Sequence, residues 1–126
     1  MRVVDTSAWI EWLTDAPAAA VLEDELPSQD RWLVPTIVQF ELAKWVARTV
    51  GEERGDAVLS FSQLCVRVPL DSDLAFRAAE ISVRHGLATA DAIVYATALE
   101  HGAELLTCDS DFESLPGVVY VDKRRS

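Results

Sequence analysis

The sequence contains little histidine, cysteine or lysine: two residues of each among 126. Cys65 and Cys108 lie far apart, and neither belongs to a Cys-x-x-Cys or Cys/His spacing. This argues against a zinc site and against a disulfide framework, and it predicts two reduced thiols. The histidines, His85 and His101, each precede a glycine at a predicted helix end, where a cation favours the helix dipole. Histidine and cysteine are therefore not expected to carry the chemistry.

Long apolar runs are also missing. The longest stretch without a charge, residues 57–66, is only about half of the ~20 residues that a membrane span needs. No apolar signal core follows Met1-Arg2. The sequence therefore predicts a cytoplasmic protein with no membrane contact. Its net charge of −10 argues against unaided attraction to nucleic acid, so a polyanionic substrate would need bound cations or a local basic patch.

The chain length and the order of its predicted elements favour one α/β domain spanning residues 1–126. Short apolar runs that predict strands alternate with segments in which apolar residues recur at helical spacing. This order predicts a three-layer sandwich in which helices flank a central, mainly parallel sheet. The predicted strands are Val3-Val4, residues 32–34, 105–107 and 118–121, and the predicted helices are residues 8–13, 18–25, 36–50, 52–64, 71–84 and 89–101, the last capped by Thr89.

Several acidic residues stand at the ends of these elements or on an apolar face. Asp5 and Asp109 directly follow strands, and Asp91 lies in the first turn of a helix that is apolar on nearly every side. Glu41 lies within the apolar stripe of the helix predicted over residues 36–50. If the strands before Asp5 and Asp109 are parallel neighbours, both carboxylates lie at the sheet edge where open α/β proteins bind ligands.

Each acid also has an ordinary structural interpretation. Asp5 could cap the following helix, and Glu41 could pair with Lys44 one turn away. Asp91 could be favoured by the helix dipole, and the segment Asp109-Ser110-Asp111 could form an Asx turn.

Together these interpretations require a separate coincidence for each acid, whereas one cluster explains them all. Clustered carboxylates raise each other's pKa unless a cation compensates. Oxygen ligands without histidine or cysteine favour Mg²⁺ or Mn²⁺, and such ions suit phosphoryl chemistry.

Four segments together resemble a known family. They are Val-Val-Asp-Thr-Ser at residues 3–7, the helical Glu41, Thr-Ala-Asp-Ala-Ile-Val-Tyr-Ala-Thr-Ala at 89–98 and Leu-Leu-Thr-Cys-Asp-Ser-Asp-Phe at 105–112. Their order and spacing resemble PIN-domain ribonucleases, and the small size resembles the VapC toxins of type II toxin-antitoxin pairs.

The resemblance implies a metal-dependent endoribonuclease that cuts RNA by water attack. It implies catalytic roles for Asp5, Glu41, Asp91 and Asp109, and Mg²⁺ or Mn²⁺ ligation by Asp5, Asp91, Asp109 and Asp111. Thr6, Ser7 and Thr107 match positions that support the pocket. It further implies a cognate antitoxin that holds the enzyme inactive, and a homodimer. Trp9 and Trp12 could form part of an antitoxin groove, although core positions are commoner for tryptophan.

Two other classes of function remain open. One is a non-catalytic, receiver-like signalling domain whose acidic pocket binds a cation or partner, and the other is a phosphotransferase with an aspartyl nucleophile. The only lysines, Lys44 and Lys123, are not expected to follow a late strand at the pocket edge, as a phosphate-sensing lysine would. Ser7 stands where the second acid of an Asp-x-Asp motif would be. No base-reading motif is visible, so the sequence does not identify the RNA target.

Overall fold

The structure is a computed structural model that describes residues 1–124. Arg125 and Ser126, the end of the predicted domain, lie outside the described residues. Among the described residues, no helix has both the length and the apolarity needed to cross a membrane.

A five-stranded sheet in the order β3-β2-β1-β4-β5 forms the centre of the fold. All four strand pairings are parallel, so the predicted α/β class is confirmed, and the sheet is parallel throughout. In chain order the strands are β1 (Arg2–Val4), β2 (Trp32–Pro35), β3 (Val66–Val68), β4 (Glu104–Thr107) and β5 (Val118–Tyr120). Strand β3 was not predicted, because Val66-Arg67-Val68 is a short and largely exposed edge segment.

Within residues 1–124, six α-helices connect and flank the strands. They are α1 (Thr6–Leu13), α2 (Ala19–Glu25), α3 (Thr36–Trp45), α4 (Glu52–Leu64), α5 (Ser72–His85) and α6 (Thr89–Glu100). Short 3-10 turns cover Gln29–Arg31 and Ser110–Phe112. Helix α6 packs against β1, β2 and β4, and its residues 92–98 are all buried. The predicted burial of this helix is therefore confirmed apart from Leu99, which is exposed.

One predicted helix end and one predicted helix cap were wrong. The helix predicted over residues 36–50 is α-helical only to Trp45, and Val46–Val50 form a π-helical turn before Gly51 at φ 93°. A single wider turn leaves the apolar spacing almost unchanged, so the sequence pattern does not reveal it. Thr89 is the first residue of α6 and makes no side-chain cap, and Ala88 holds the N-cap position instead.

The core contains a cluster of four aromatic side chains, in which Trp9 contacts Trp12, Trp32 and Phe61. The Trp9 ring centroid lies 4.7 Å from that of Trp32, 5.8 Å from Phe61 and 6.3 Å from Trp12. Trp9 is fully buried and Trp12 is half-buried against the same group. Trp9 is therefore a core residue, and only part of Trp12 is available to a partner.

The strand order positions the acidic residues. Strands β2 and β3 lie on one side of β1, and β4 and β5 lie on the other, so the connectivity reverses between β1 and β4. A crevice at the carboxyl ends of two such strands is the usual ligand site of an open parallel sheet. Asp5 directly follows β1, and Cys108 and Asp109 follow β4. The register pairs Val4 with Leu106, which brings the two loops together.

Candidate functional site

Asp5 occupies the N-cap position of α1, but its side chain does not cap the helix. Its backbone carbonyl accepts hydrogen bonds from the N–H groups of Ala8 and Trp9 at 3.0 and 3.1 Å. The carboxylate is buried, with 4% of the residue exposed. Its Oδ2 accepts hydrogen bonds from the hydroxyls of Ser7 at 2.8 Å and Thr107 at 2.9 Å. Asp5 therefore holds the N-cap position, but the side-chain capping interpretation is wrong, because the carboxylate binds Ser7 and Thr107 instead.

Ser7 and Thr107 join the loop after β1 to the loop after β4. The Ser7 Oγ accepts a hydrogen bond from the Cys108 N–H at 3.0 Å, and the Thr107 Oγ1 accepts one from the Asp109 N–H at 2.9 Å. The two hydroxyl oxygens are 3.2 Å apart. Both hydroxyls donate to Asp5, and both accept from backbone N–H groups of the loop after β4, so the orientation of Asp5 is coupled to that of Asp109.

The segment from Asp109 to Asp111 forms an Asx turn. The Asp109 Oδ1 accepts a hydrogen bond from the Asp111 N–H at 2.9 Å. The same turn lies beside the start of α6: one carboxylate oxygen from each of Asp91, Asp109 and Asp111 lies within 4.8 Å of the others. The turn thus has a structural role and also places two acids next to Asp91.

Glu41 approaches this group from α3. Its Oε1 accepts a hydrogen bond from the Thr6 hydroxyl at 2.7 Å. Within residues 1–124 no ion pair joins Glu41 to Lys44, whose ammonium lies 5.4 Å from the centroid of the Phe40 ring. The ion-pair interpretation of Glu41 is therefore wrong for this structure, and Glu41 is tied to the helix that follows Asp5.

The electrostatics show that these acids form one cluster. Burial, followed by the charges of Asp5, Asp109, Asp111 and Glu41, raises the pKa of Asp91 from 3.8 to about 7. Burial also raises the pKa of Asp5, and the hydroxyls of Ser7 and Thr107 oppose that shift. Glu41 and Asp109 raise the pKa of Asp5 further. Asp5 and Glu41 lie outside the 4.8 Å group, but their charges act on it.

The donor set fits a small divalent cation with a preference for oxygen ligands. Asp91, Asp109 and Asp111 supply carboxylates only, at a separation that one ion can span, and no thiol or imidazole belongs to this group of described residues. Mg²⁺ and Mn²⁺ bind such oxygen ligands, whereas zinc in proteins usually takes nitrogen and sulfur. A cation would also remove the repulsion that raises the pKa of Asp91.

We expect the metal-free protein to become less stable as the pH rises from about 4 to about 7. The folded-state pKa of Asp91 is about 7 against an ordinary value of 3.8, so between these values the folded state binds more protons than the unfolded state. Stability therefore falls with rising pH in this window. The raised pKa of Asp5 acts in the same direction.

Melting temperatures in EDTA across this pH range measure the slope. Added Mg²⁺ should flatten it, and Asp91→Asn should reduce it, because each removes the repulsion at Asp91. A melting temperature in EDTA that stays constant from about pH 4 to pH 7 would contradict a tight acid cluster.

The structure brings the sequence-predicted site residues to one edge of the sheet. The carboxylates of Asp91, Asp109 and Asp111 are closest together, Asp5 and Glu41 interact with them electrostatically, and the hydroxyls of Thr6, Ser7 and Thr107 hold two of the acids. Their catalytic and metal-binding roles remain predictions.

The sequence interpretation of Lys123 was wrong. Lys123 follows β5 and lines a cavity together with Asp109. Tyr120, at the end of β5, lines the same cavity and was not predicted. The sequence signal that could have found both residues is their place at the end of the strand predicted over residues 118–121 and just after it.

A parallel sheet with clustered carboxylates at its β1/β4 crevice defines an α/β protein with an acidic site at the topological switch point. The strand order differs from the 2-1-3-4-5 order of receiver domains, so a receiver fold is excluded. The family model described as "PIN domain" matches residues 2–118, and the chain belongs to this family.

Several solved structures are similar to this chain over nearly its whole length. A toxin-antitoxin complex from Klebsiella pneumoniae is 27% identical, with a TM-score of 0.80 and coverage of 94% of this chain and 96% of that chain. VapC20 from Mycobacterium tuberculosis, described as a sarcin-ricin loop cleaving toxin, is 21% identical, with a TM-score of 0.77 and coverage of 96% and 98%. FitAcB from Neisseria gonorrhoeae is 24% identical, with a TM-score of 0.73 and coverage of 96% and 97%. No curated protein sequence matches the chain significantly.

Proposed function

We propose that this protein is a metal-dependent endoribonuclease toxin of a type II toxin-antitoxin pair. The observation that carries the proposal is the convergence of carboxylates from separate elements on the β1/β4 crevice, where Asp91, Asp109 and Asp111 lie within 4.8 Å of one another. The similarity to a Klebsiella pneumoniae toxin-antitoxin complex supports the toxin class. The description of VapC20 as a sarcin-ricin loop cleaving toxin supports RNA as the substrate class.

In this proposal Asp91, Asp109 and Asp111, with Asp5 beside them, hold Mg²⁺ or Mn²⁺. When bound, such an ion activates a water molecule and stabilises negative charge on the phosphate and the leaving oxygen. Ser7 and Thr107 fix the Asp5 carboxylate through its Oδ2, which leaves Oδ1 for a ligand. The acids and hydroxyls thus form a preorganised site on rigid elements.

Glu41 has a distinct role in the proposed reaction. Thr6 occupies Oε1 of Glu41, and no described residue donates a hydrogen bond to Oε2. The free Oε2 is the atom that accepts a proton from the attacking water. Because Thr6 begins α1 directly after Asp5, the same helix start orients Glu41 and Asp5.

The proposal also includes an antitoxin that holds the enzyme inactive, a homodimer, and a single domain over residues 1–126. An apolar cavity between α5 and α6, lined by Leu70, Val83 and Ile93, offers a surface for self-association. Co-purification with a small partner tests for the antitoxin, and sedimentation equilibrium of the purified chain tests for the dimer.

RNA cleavage by the purified protein tests the function. We expect cleavage in Mg²⁺ or Mn²⁺, no cleavage in EDTA, and recovery when Mg²⁺ is added in excess of the chelator, because the carboxylate cluster needs a cation to accept a phosphate. Capillary electrophoresis of an end-labelled RNA measures both rate and position. Cleavage that persists unchanged in EDTA would overturn metal dependence.

A phosphodonor assay separates this proposal from the remaining enzymatic alternative. The observation that favours a test of the phosphotransferase is that Lys123 lines the cavity beside Asp109. A lysine that senses a phosphate is expected at such a place. Transfer of label from a small phosphodonor to Asp5 would support a phosphotransferase instead of a nuclease. We expect no transfer, since Ser7 stands where the second acid of such a site would be.

A further inference from the structure

An open cavity of about 530 Å³ lies beside the acidic cluster, at the carboxyl ends of β4 and β5. Ser7 and Asp109 line both the cavity and the acidic site, so the two are continuous. The remaining wall includes Tyr120, Lys123 and Arg124. Small-molecule and nucleotide sites commonly have volumes of about 300–1,000 Å³, so one nucleotide fits this cavity.

The pairing of β4 with β5 fixes the position of this wall. Thr107 pairs with Tyr120, and the Val121 N–H donates a hydrogen bond to the Thr107 carbonyl at 2.9 Å. Thr107 in turn donates its hydroxyl to Asp5. The distance between Tyr120 and the acids is therefore set by neighbouring strands, and Lys123 and Arg124 follow in a turn directly after β5.

The cations in the wall have different roles. The Arg124 guanidinium is held by Asp122, with Nε and Nη2 at 3.0 and 2.7 Å from the two carboxylate oxygens. Lys123 is exposed, and among residues 1–124 it has no ion-pair partner. In a chain of net charge −10, Lys123 therefore offers an uncompensated positive charge beside the acidic site.

Tyr120 supplies an aromatic side chain at the same place. It is half-buried, and its hydroxyl makes no hydrogen bond with another side chain in the part of the chain that the structure describes. Single-stranded RNA is bound by such a combination of an aromatic ring, on which a base stacks, and a cation that contacts the backbone. An acidic peptide would use the lysine but would gain little from the ring.

We infer that this cavity binds the nucleotide next to the scissile phosphate of a single-stranded RNA, with its base on Tyr120 and its phosphate on Lys123. The inference rests on the proposed ribonuclease function and deepens it. It assigns RNA positioning to the end of β5, which contributes no acid to the candidate metal site. Because the chain has a net negative charge, a positive side chain at this place favours the binding of a polyanion.

Binding of a fluorescein-labelled decauridylate in EDTA, followed by fluorescence anisotropy, tests the inference without turnover. We expect Tyr120→Leu to weaken binding roughly tenfold, because stacking on an aromatic ring is lost, and Tyr120→Phe to bind like the wild type. Lys123→Gln should weaken binding roughly tenfold at low salt and lower the salt slope by about 0.7, the value for one phosphate contact on a single strand.

Arg67→Gln is the matched control, because it removes one positive charge on β3 at the opposite edge of the sheet. This variant should bind the decauridylate like the wild type. A decaglutamate peptide should compete at least about tenfold less well than unlabelled decauridylate, because it has no base to stack. Equal competition by the peptide would assign the cavity to an acidic peptide and overturn the inference.

The results distinguish failure of this inference from failure of the proposed function. If the wild type cleaves RNA in Mg²⁺ but Tyr120→Leu and Lys123→Gln bind decauridylate as tightly as the wild type, the assignment of the cavity is wrong and the nuclease function stands. If the wild type neither binds the oligonucleotide nor cleaves RNA in Mg²⁺, both are wrong. Lys123 is exposed, so its substitution tests the inference even if Tyr120→Leu misfolds.

Discussion

Replacing Asp5 with asparagine is expected to lower the rate of RNA cleavage by about a thousandfold or more while the protein remains folded. Asparagine preserves the shape of the side chain, and its oxygen can still accept the hydrogen bonds from Ser7 and Thr107. What is lost is the negative charge at the crevice. Asp91→Asn and Asp109→Asn are expected to have effects of the same size, because each removes one carboxylate from the cluster.

Activity and metal-free stability should change in opposite directions in Asp5→Asn. Burial raises the pKa of Asp5, so its ionised form is disfavoured in the folded protein at neutral pH. Removing that charge should raise the melting temperature in EDTA. Initial cleavage rates in Mg²⁺ and thermal unfolding in EDTA measure the two effects on the same preparation.

Asp56→Asn is the control for these substitutions, since Asp56 is an exposed acid on α4. It should leave both cleavage and melting temperature close to those of the wild type. Cleavage that survives in all three variants, Asp5→Asn, Asp91→Asn and Asp109→Asn, would refute the proposed active site. Loss of cleavage together with loss of folding would instead show that these acids act through the structure.

Trp9→Ala is expected to destabilise the protein by about 3–5 kcal/mol, the usual cost of truncating a buried tryptophan. Trp9 is fully buried, and its ring contacts Trp12, Trp32 and Phe61, so alanine would leave a cavity that rigid aromatic neighbours cannot fill. A change of this size is a large fraction of the roughly 5–15 kcal/mol by which a typical domain is stable. Urea unfolding followed by circular dichroism measures it.

Trp9→Phe separates the loss of volume from the loss of the indole N–H. The Nε1 atoms of Trp9 and Trp32 are buried, and neither has a hydrogen-bond partner among the described residues. Phenylalanine removes an unsatisfied N–H donor, which stabilises the folded state, and it also removes part of the ring, which destabilises it. The gain from the first change offsets part of the cost of the second. We therefore expect Trp9→Phe to cost less than half as much as Trp9→Ala. Equal costs would contradict this account.

The positions of the acids could be predicted because each depends on local sequence. Asp5 and Asp109 follow short apolar runs that form β1 and β4, and Asp91 lies in the first turn of a helix whose body has no polar face. Glu41 was identified because it interrupts an apolar stripe, which is again a local pattern. The parallel sheet followed from the alternation of strands and helices.

The contacts between the acids and their supporting hydroxyls could not be worked out from local pattern. Ser7 and Thr107 are 100 residues apart in the sequence, and their meeting depends on the pairing of β1 with β4. The supporting role of these hydroxyls was expected only through the family resemblance. The place of Lys123 was missed for the same reason, because only the pairing of β5 with β4 brings it beside Asp109.

The contact between the hydroxyls of Ser7 and Thr107 can form only after both β1 and β4 have been synthesised. Strand β1 leaves the ribosome well before its neighbour β4, which begins at Glu104. Domains fold as units during synthesis, at roughly 5–20 residues per second, so the acidic crevice closes only after β4 has been translated. Incomplete chains that end before β4 lack both Thr107 and Asp109. Such incomplete chains therefore cannot form the proposed active site.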